Sequence, residues 1–287
     1  VPEGAPPSSL PESRMVTVGD GAAHVLDWGG TGAPVHFTHA NGFNARTYVP
    51  ILGPLAGEMH VMASDLRGHG ATTLPADPAA HTTWSTYPAD LIRVLDALRQ
   101  APYVLAGHSM GGTTSLLVAA ARPDLVRALV LFDPVAVNFP PEIDREQIPL
   151  VVGARKRRAV FADRESARNA YTGRGAFKTW PAETLDAYLE GGLKPDPEGW
   201  RLACAPEWEA QNFRLGPPDL FAAIDALKCP LTLLHADEGS TSSEELRDYM
   251  RARHPAARIE RVPGTTHFLP MERPDLVRDA LRAAVSR

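Results

Sequence analysis

The chain of 287 residues contains only two cysteines, Cys204 and Cys229. Neither lies in a C-x-x-C pair or in another spacing typical of metal ligands, which argues against a disulfide framework. A reducing, cytoplasmic environment is the corresponding expectation. Because a chain of this length can bury a large core, its stability requires neither a disulfide nor a metal.

Long apolar runs and a basic surface are missing as well. Hydrophobic residues make up 44% of the chain, but no run approaches the roughly 20 residues that cross a bilayer. The formal net charge is -5 and the one dense cationic run covers residues 155–158, which argues against a nucleic-acid partner. Residues 1–14 are rich in Pro, Ser and Glu without a basic start or an apolar segment. They predict a flexible tail and not a signal peptide.

The chain does contain short apolar runs that alternate with helical patterns. Strands are predicted at residues 15–18, 23–28, 35–38, 60–63, 103–106, 128–132, 231–235 and 258–262. Apolar residues at helical spacing predict helices at 84–99 and 274–286. The alternation indicates an α/β fold with a mostly parallel eight-stranded sheet flanked by helices. Residues 15–134 and 218–287 are expected to form this core.

Between residues 135 and 217 the alternation gives way to amphipathic stretches broken by Pro and Gly. The segment predicts an inserted helical cap. Nine of the chain's 20 aromatic residues lie in it. Two interpretations remain open, and both can hold at once: the rings form the small core of the cap, or several of them line an apolar pocket.

The sequence Gly107-His108-Ser109-Met110-Gly111 lies between an apolar strand and a helical segment that Pro123 ends. This is the setting of a nucleophile elbow, a sharp turn that exposes a serine hydroxyl. A side chain at either glycine would collide with the neighbouring strand or helix. Ser109 is therefore the candidate nucleophile.

A serine hydroxyl needs a base to become reactive at neutral pH. His267 follows the last predicted strand and precedes the last helix, from where a loop can reach the elbow. An oxyanion hole needs two backbone N–H donors. Met110, at the start of the helix, supplies one, and the loop after the strand at 35–38 supplies the other, with Asn41 preferred over Phe43 as the donor.

These features resemble the α/β-hydrolase fold superfamily, in the branch with a helical cap between strands six and seven. The resemblance extends from about residue 15 to 287. It rests on His39-Ala40-Asn41-Gly42 in place of the family's oxyanion loop, on residues 65–70 (Asp-Leu-Arg-Gly-His-Gly) after the fourth strand, on the elbow, and on the His267 loop. Esterases, lactonases and C–C bond hydrolases share this frame, so the substrate stays open. Epoxide hydrolases and dehalogenases of the fold carry aspartate at the elbow, which Ser109 argues against.

The acid of the triad departs from the usual pattern of the family. Relatives commonly carry an aspartate shortly after the seventh strand, where this chain has Gly239. Asp133, 24 residues after Ser109 at the end of the sixth strand, is the preferred acid. Asp237 and Glu238 remain alternatives, because a loop at that position can also reach the histidine.

The sequence therefore predicts a serine hydrolase that cleaves a carboxylic ester or related acyl bond through an acyl-serine intermediate. Ser109, His267 and Asp133 form the triad, with the N–H groups of Asn41 and Met110 as the oxyanion hole. No metal and no organic cofactor is expected. The expected partner is a small ester or acyl substrate, with the chain as a monomer or homodimer. Alternatives are a C–C bond hydrolase of a vinylogous diketone and a non-catalytic binding protein on the same fold.

Overall fold

The structure is a computed structural model that describes residues 10–137, 139–140 and 142–286. The strands in these ranges are β1 (Glu12–Val18), β2 (Gly21–Asp27), β3 (Pro34–Thr38), β4 (His60–Ser64), β5 (Tyr103–His108), β6 (Val126–Phe132), β7 (Val160–Phe161), β8 (Leu193–Asp196), β9 (Gly199–Leu202), β10 (Leu231–Ala236) and β11 (Arg258–Val262). The α-helices are α1 (Val49–Leu52), α2 (Thr86–Leu98), α3 (Met110–Ala121), α4 (Pro149–Arg155), α5 (Arg164–Tyr171), α6 (Ala182–Gly192), α7 (Pro206–Leu215), α8 (Phe221–Ala226), α9 (Glu244–Arg253), α10 (Leu269–Glu272) and α11 (Pro274–Val285).

The main sheet has, within the described residues, eight strands in the order β1-β2-β4-β3-β5-β6-β10-β11. Strand β2 is antiparallel to both of its neighbours, and the pairs from β4 to β11 are parallel. All eight predicted strands are present, and the predicted α/β fold is confirmed.

Helices cover both faces of this sheet. Val104 and Ala106 of β5 pack in the layer that contains α11, whereas Tyr103 and Leu105 pack toward α2 and α3. Because both faces are buried, the central strands consist mainly of apolar residues and do not alternate regularly with polar ones. The carboxyl ends of the parallel strands meet at one edge of the sheet, so the loops that follow them lie side by side.

The first strand begins earlier than its sequence pattern predicts. Residues 12–14, which the sequence analysis assigned to the flexible tail, form the start of β1 and pair with β2. Most side chains of this edge strand are exposed on both faces of the sheet. Polar and apolar residues therefore do not alternate with the period of two that identifies a half-buried strand. The remainder of the predicted tail, residues 1–9, lies outside the described residues.

The segment predicted as a helical cap, residues 135–217, contains four α-helices in its described part, α4 to α7, and is not entirely helical. Strands β7, β9 and β8 form a small antiparallel sheet that the sequence analysis did not predict. With two to four residues each, these strands are too short for their side chains to show a period of two. In the described ranges, every helix is too short or too polar to cross a lipid bilayer.

Candidate active site

Ser109 occupies the turn between β5 and α3. Its φ of +55° lies in the left-handed region, which residues other than glycine rarely adopt. A Cβ on Gly107 would lie 2.4 Å from the carbonyl group of Gly111, and one on Gly111 would lie 2.2 Å from the carbonyl oxygen of Thr38. Both positions therefore require glycine. The turn has the strand-turn-helix geometry expected of a nucleophile elbow.

His267 lies in the loop between β11 and α10. Its Nε2 is 3.0 Å from the Oγ of Ser109, and its Nδ1 is 2.6 Å from the Oδ2 of Asp133. The side chain of His267 is 20% exposed, whereas that of Asp133 is completely buried. The fold thus brings together three side chains from the ends of three different strands.

Asp133 directly follows β6 and is held by several hydrogen bonds. Its Oδ1 accepts from the backbone N–H of Ala236 at 3.0 Å and from the hydroxyl of Ser240 at 2.5 Å. Its Oδ2 accepts from the N–H of Thr241 at 3.0 Å, besides His267. Burial alone would raise the pKa of Asp133, but the hydrogen bonds from His267, Ser240 and Thr241 lower it to about 2. The carboxylate is therefore ionised at neutral pH.

The alternative acids lie elsewhere. Asp237 accepts a hydrogen bond from the backbone N–H of Gly264 at 2.8 Å and lies 3.4 Å from Arg261. The side chain of Glu238 is exposed. Of the three carboxylates that the sequence left open, Asp133 is the one within hydrogen-bonding distance of His267.

The candidate oxyanion donors belong to the first turn of α3 and to the loop after β3. Met110 is the first residue of α3, and the N–H groups of a first helical turn have no partner inside the helix. In the loop after β3, the N–H of Gly42 donates to His69 at 3.0 Å and that of Phe43 to the carbonyl of Ala40 at 3.1 Å. The N–H of Asn41 makes no hydrogen bond to the described part of the chain. Asn41 is thus the amide of this loop that is free to bind an oxyanion.

Sequence reasoning missed the contacts of His108, the residue before the serine. Burial lowers the pKa of His108 to about 3, so its ring is neutral. Its Nε2 lies 2.8 Å from the carbonyl oxygen of His267 and therefore carries the hydrogen, while Nδ1 accepts from the Tyr48 hydroxyl at 2.8 Å. The Tyr48 oxygen also accepts from the N–H of Ala40 at 3.2 Å. This series of hydrogen bonds connects the loop after β3, the elbow and the His267 loop.

Ser240 and Thr241, which hold Asp133, were missed for another reason. Both are common loop residues in sequence, and both lie more than 100 positions from the carboxylate that they contact. The one local signal was Gly239, which stands where relatives of the fold carry their acid. The same loop that lacks the usual acid thus supplies donors to the aspartate at the end of β6.

Aromatic side chains from core and cap meet beside His267. The ring of Trp180 lies 5.0 Å from that of Phe43, in the oxyanion loop, and 6.0 Å from that of Phe268, which follows His267. Other cap aromatics, Phe161, Phe177 and Tyr188, are buried in the core cluster. Trp180 belongs to the same core cluster, so these cap rings fit the first interpretation of the aromatic enrichment. Through its contacts with Phe43 and Phe268, Trp180 also lies beside the candidate site.

A buried ion pair lies above the oxyanion loop. Arg157 of the cap pairs with the carboxylate of Glu209 and donates to the hydroxyls of Tyr171 and Tyr188, at 3.0 and 2.7 Å. Glu209 in turn lies so close to Gly42 that a Cβ there would be 2.6 Å from its carboxylate. The positive charge of Arg157 is thus balanced within the protein.

Neither the two thiols nor any grouping of metal-ligating side chains among the described residues adds a further site. Cys204 and Cys229 are free cysteines, and burial raises the pKa of both thiols. Among the described residues, no three His, Cys, Asp or Glu side chains are grouped so that they could hold a metal ion.

The order of the mostly parallel eight-stranded sheet and the strand-turn-helix geometry at Ser109 are those of the α/β-hydrolase fold. Residues 37–280 match the model of the alpha/beta hydrolase family. This match covers most of the chain, which therefore belongs to that family.

Similar proteins include enzymes with different substrates. The chain is 26% identical to 2-(acetamidomethylene)succinate hydrolase of Mesorhizobium japonicum over 270 residues, 94% of this chain and 93% of that protein. It is 26% identical to Esterase YbfF of Escherichia coli over 239 residues, 79% of this chain and 83% of that protein. A solved structure of E-2-(acetamidomethylene)succinate hydrolase superimposes with a TM-score of 0.79 at 24% identity, covering 96% and 99% of the two chains.

Proposed function

We propose that this α/β hydrolase cleaves a carboxylic ester or related acyl bond through a covalent acyl-Ser109 intermediate. His267 acts as the base, Asp133 orients it, and the N–H groups of Met110 and Asn41 bind the oxyanion. The observation that carries the proposal is the pair of hydrogen-bond distances from His267, 3.0 Å to Ser109 and 2.6 Å to Asp133.

The direction of proton transfer follows from these contacts. Ionised Asp133 can only accept, so Nδ1 of His267 carries a hydrogen and Nε2 presents a lone pair to Ser109. As the Ser109 oxygen attacks the carbonyl carbon, its proton moves to Nε2 and negative charge develops on the carbonyl oxygen. His267 then protonates the leaving alcohol. A water molecule repeats the sequence on the acyl-enzyme and releases the acid.

An uncharged, partly apolar substrate fits this site best. Phe43, Trp180 and Phe268 bring aromatic surface to the neighbourhood of His267. The buried cation of the cap, Arg157, is already paired with Glu209. A carboxylate on the substrate would therefore compete with an internal partner, whereas an aryl or alkyl group would gain contact with the rings.

The test combines a fluorophosphonate probe with a panel of aryl esters from acetate to palmitate, extended by lactones and amides. We expect the wild-type protein to take the probe on Ser109 and to hydrolyse at least one ester. The Ser109→Ala variant should lose ester turnover. Turnover that persists in Ser109→Ala, with the protein folded by circular dichroism, would exclude the proposal.

The second candidate is a hydrolase of an acidic substrate, such as a succinate derivative or a vinylogous diketone with a carboxylate tail. One observation favours it: the similarity to 2-(acetamidomethylene)succinate hydrolase along nearly the whole chain. Turnover of a dicarboxylate, or loss of absorbance of a ring-cleavage product, combined with indifference to aryl esters would favour this candidate. The reverse result would favour the esterase.

A further inference from the structure

A second set of serine, histidine and aspartate side chains is joined by hydrogen bonds near the β1 edge of the sheet. The Oγ of Ser13, on β1, is 2.6 Å from the Nε2 of His24, on β2. The Nδ1 of His24 is 2.7 Å from the Oδ2 of Asp65, which follows β4. We propose that Ser13 is a second nucleophile, which is acylated or phosphonylated by activated donors while His24 takes its proton.

The hydrogen bonds of Asp65 determine which ring nitrogen of His24 carries the hydrogen. Asp65 is buried, and its oxygens accept from the N–H of Ala45 at 2.7 Å and of Ala71 at 2.9 Å. Burial alone would raise the pKa of Asp65, but the hydrogen bond from His24 and the further donors lower it below its usual value. The ionised carboxylate holds a hydrogen on Nδ1 of His24. Nε2 is thus left with a lone pair, to which the Ser13 hydroxyl donates.

The strand register explains why the two side chains meet. Met15 pairs directly with His24 in the antiparallel ladder of β1 and β2. Ser13 is two residues from Met15, so it lies on the same face of the sheet, diagonally from the histidine. His24 is only 5% exposed, whereas Ser13 is exposed to solvent. The arrangement presents an accessible hydroxyl on a buried, oriented base, which is what an activated serine requires.

Ser13, His24 and Asp65 line an open cavity of about 370 Å³ between the core and the α6 end of the cap, and no residue of the Ser109 triad lines it. Two cations line the same cavity. Arg46 pairs with Glu190 at 2.9 Å, while Lys194 forms no ion pair with the described residues. In the proposed reaction, the ammonium of Lys194 is the cation of this cavity that stabilises an oxyanion formed at Ser13.

The reaction of Ser13 with an activated donor requires no other reactant. The Ser13 oxygen attacks phosphorus in a fluorophosphonate, the P–F bond breaks, and fluoride leaves as the hydroxyl proton moves to Nε2 of His24. With an aryl acetate the same attack forms acetyl-Ser13 and releases the phenol, which takes up that proton. This is a single acylation that releases one phenol per Ser13, not ester turnover.

The experiment uses the full chain with Ser109→Ala, so that the first nucleophile is absent, and maps fluorophosphonate adducts by peptide mass spectrometry. We expect one adduct, on Ser13, and none when Ser13→Ala is added. The exposed Ser85, whose hydroxyl contacts Thr83 and no histidine, serves as the internal control and should remain unmodified. Adding His24→Asn should slow labelling of Ser13 by about 100-fold or more, the usual contribution of a general base.

Two results would overturn the proposal. In the first, the Ser109→Ala protein takes no label on Ser13, which would mean that the network only ties β1 to the loop after β4. In the second, folded protein carrying His24→Asn is labelled on Ser13 as fast as its parent. If His24→Asn does not fold, the first comparison still decides, because Ser109→Ala and Ser13→Ala change neither the buried histidine nor its aspartate.

Discussion

Replacing Asp133 with asparagine changes the charge of one buried side chain and leaves its shape almost unaltered. In the wild type, one carboxylate oxygen accepts from Ala236 and Ser240, and the other accepts from Thr241 and His267. An amide offers one acceptor oxygen and one NH2 donor. Whichever way the new amide is turned, its NH2 group faces donors that have lost their acceptor.

The cost in stability can be worked out in two ways. A buried donor left without an acceptor costs about 1–3 kcal/mol. The hydrogen bonds also hold the pKa of Asp133 at about 2 against a usual 3.8, and a shift of this size corresponds to a stabilisation on the order of 2 kcal/mol. We therefore expect Asp133→Asn to lower the free energy of unfolding by about 2–3 kcal/mol at pH 7.

The pH dependence of this contribution has a defined sign. Because the folded-state pKa is lowered, the stabilisation is fully present above the unfolded pKa, near 4, and is lost as the pH falls through about 2. The difference in stability between wild type and Asp133→Asn should therefore shrink as the pH falls from 5 toward 2, as measured by urea unfolding.

The effect on catalysis should be much larger than the effect on folding. When the NH2 group of the new amide faces Nδ1 of His267, the imidazole hydrogen moves to Nε2, and no lone pair faces Ser109. We expect kcat for an aryl ester to fall by about 10⁴-fold, the loss typical of a triad with the wrong histidine tautomer.

The assay compares ester turnover and urea unfolding of Asp133→Asn with those of two controls, Asp237→Asn and Glu238→Gln. Both controls remove a carboxylate that does not contact His267, so their turnover should stay close to that of the wild type. If Asp133→Asn keeps wild-type turnover while a loop variant loses about 10⁴-fold, the assignment of the acid is wrong.

Three further outcomes are expected. Gly111→Ala should destabilise the protein by several kcal/mol or prevent folding, because its Cβ would lie 2.2 Å from a backbone oxygen of β3, whereas Gly153→Ala, in an open part of α4, should leave the melting temperature unchanged or raise it. Burial lowers the pKa of His36 from 6.5 to about 4. As the pH falls, His36 is therefore protonated in the unfolded chain at a higher pH than in the folded protein. Wild type should lose up to about 3 kcal/mol more than His36→Leu between pH 6.5 and 4 in urea unfolding. Tyr48→Phe removes the donor to His108 and should lower kcat by about tenfold with an unchanged KM, and a change in KM alone would refute this positioning role.

The local sequence determined most of the fold and two members of the candidate triad. The eight core strands could be predicted because most of them contain a short, largely apolar run, and such runs identify buried strands wherever helical patterns separate them. The elbow could be predicted because a serine in left-handed geometry needs glycine at fixed neighbouring positions, here Gly107 and Gly111. His267 could be chosen among ten histidines because it stands between the last strand and the last helix.

Only the tertiary structure decided which carboxylate lies beside His267. Asp133 and Asp237 follow adjacent parallel strands, β6 and β10, so both reach the same edge of the sheet and no local pattern separates them. The choice depends on side-chain direction and on donors such as Ser240 and Thr241, which lie more than 100 residues away in sequence. The pairing of Ser13 with His24 and Asp65 likewise depends on strand register and on the packing of β2 against β4. Periodicity and turn chemistry act over a few neighbouring residues, whereas contacts between distant segments exist only once the sheet has assembled.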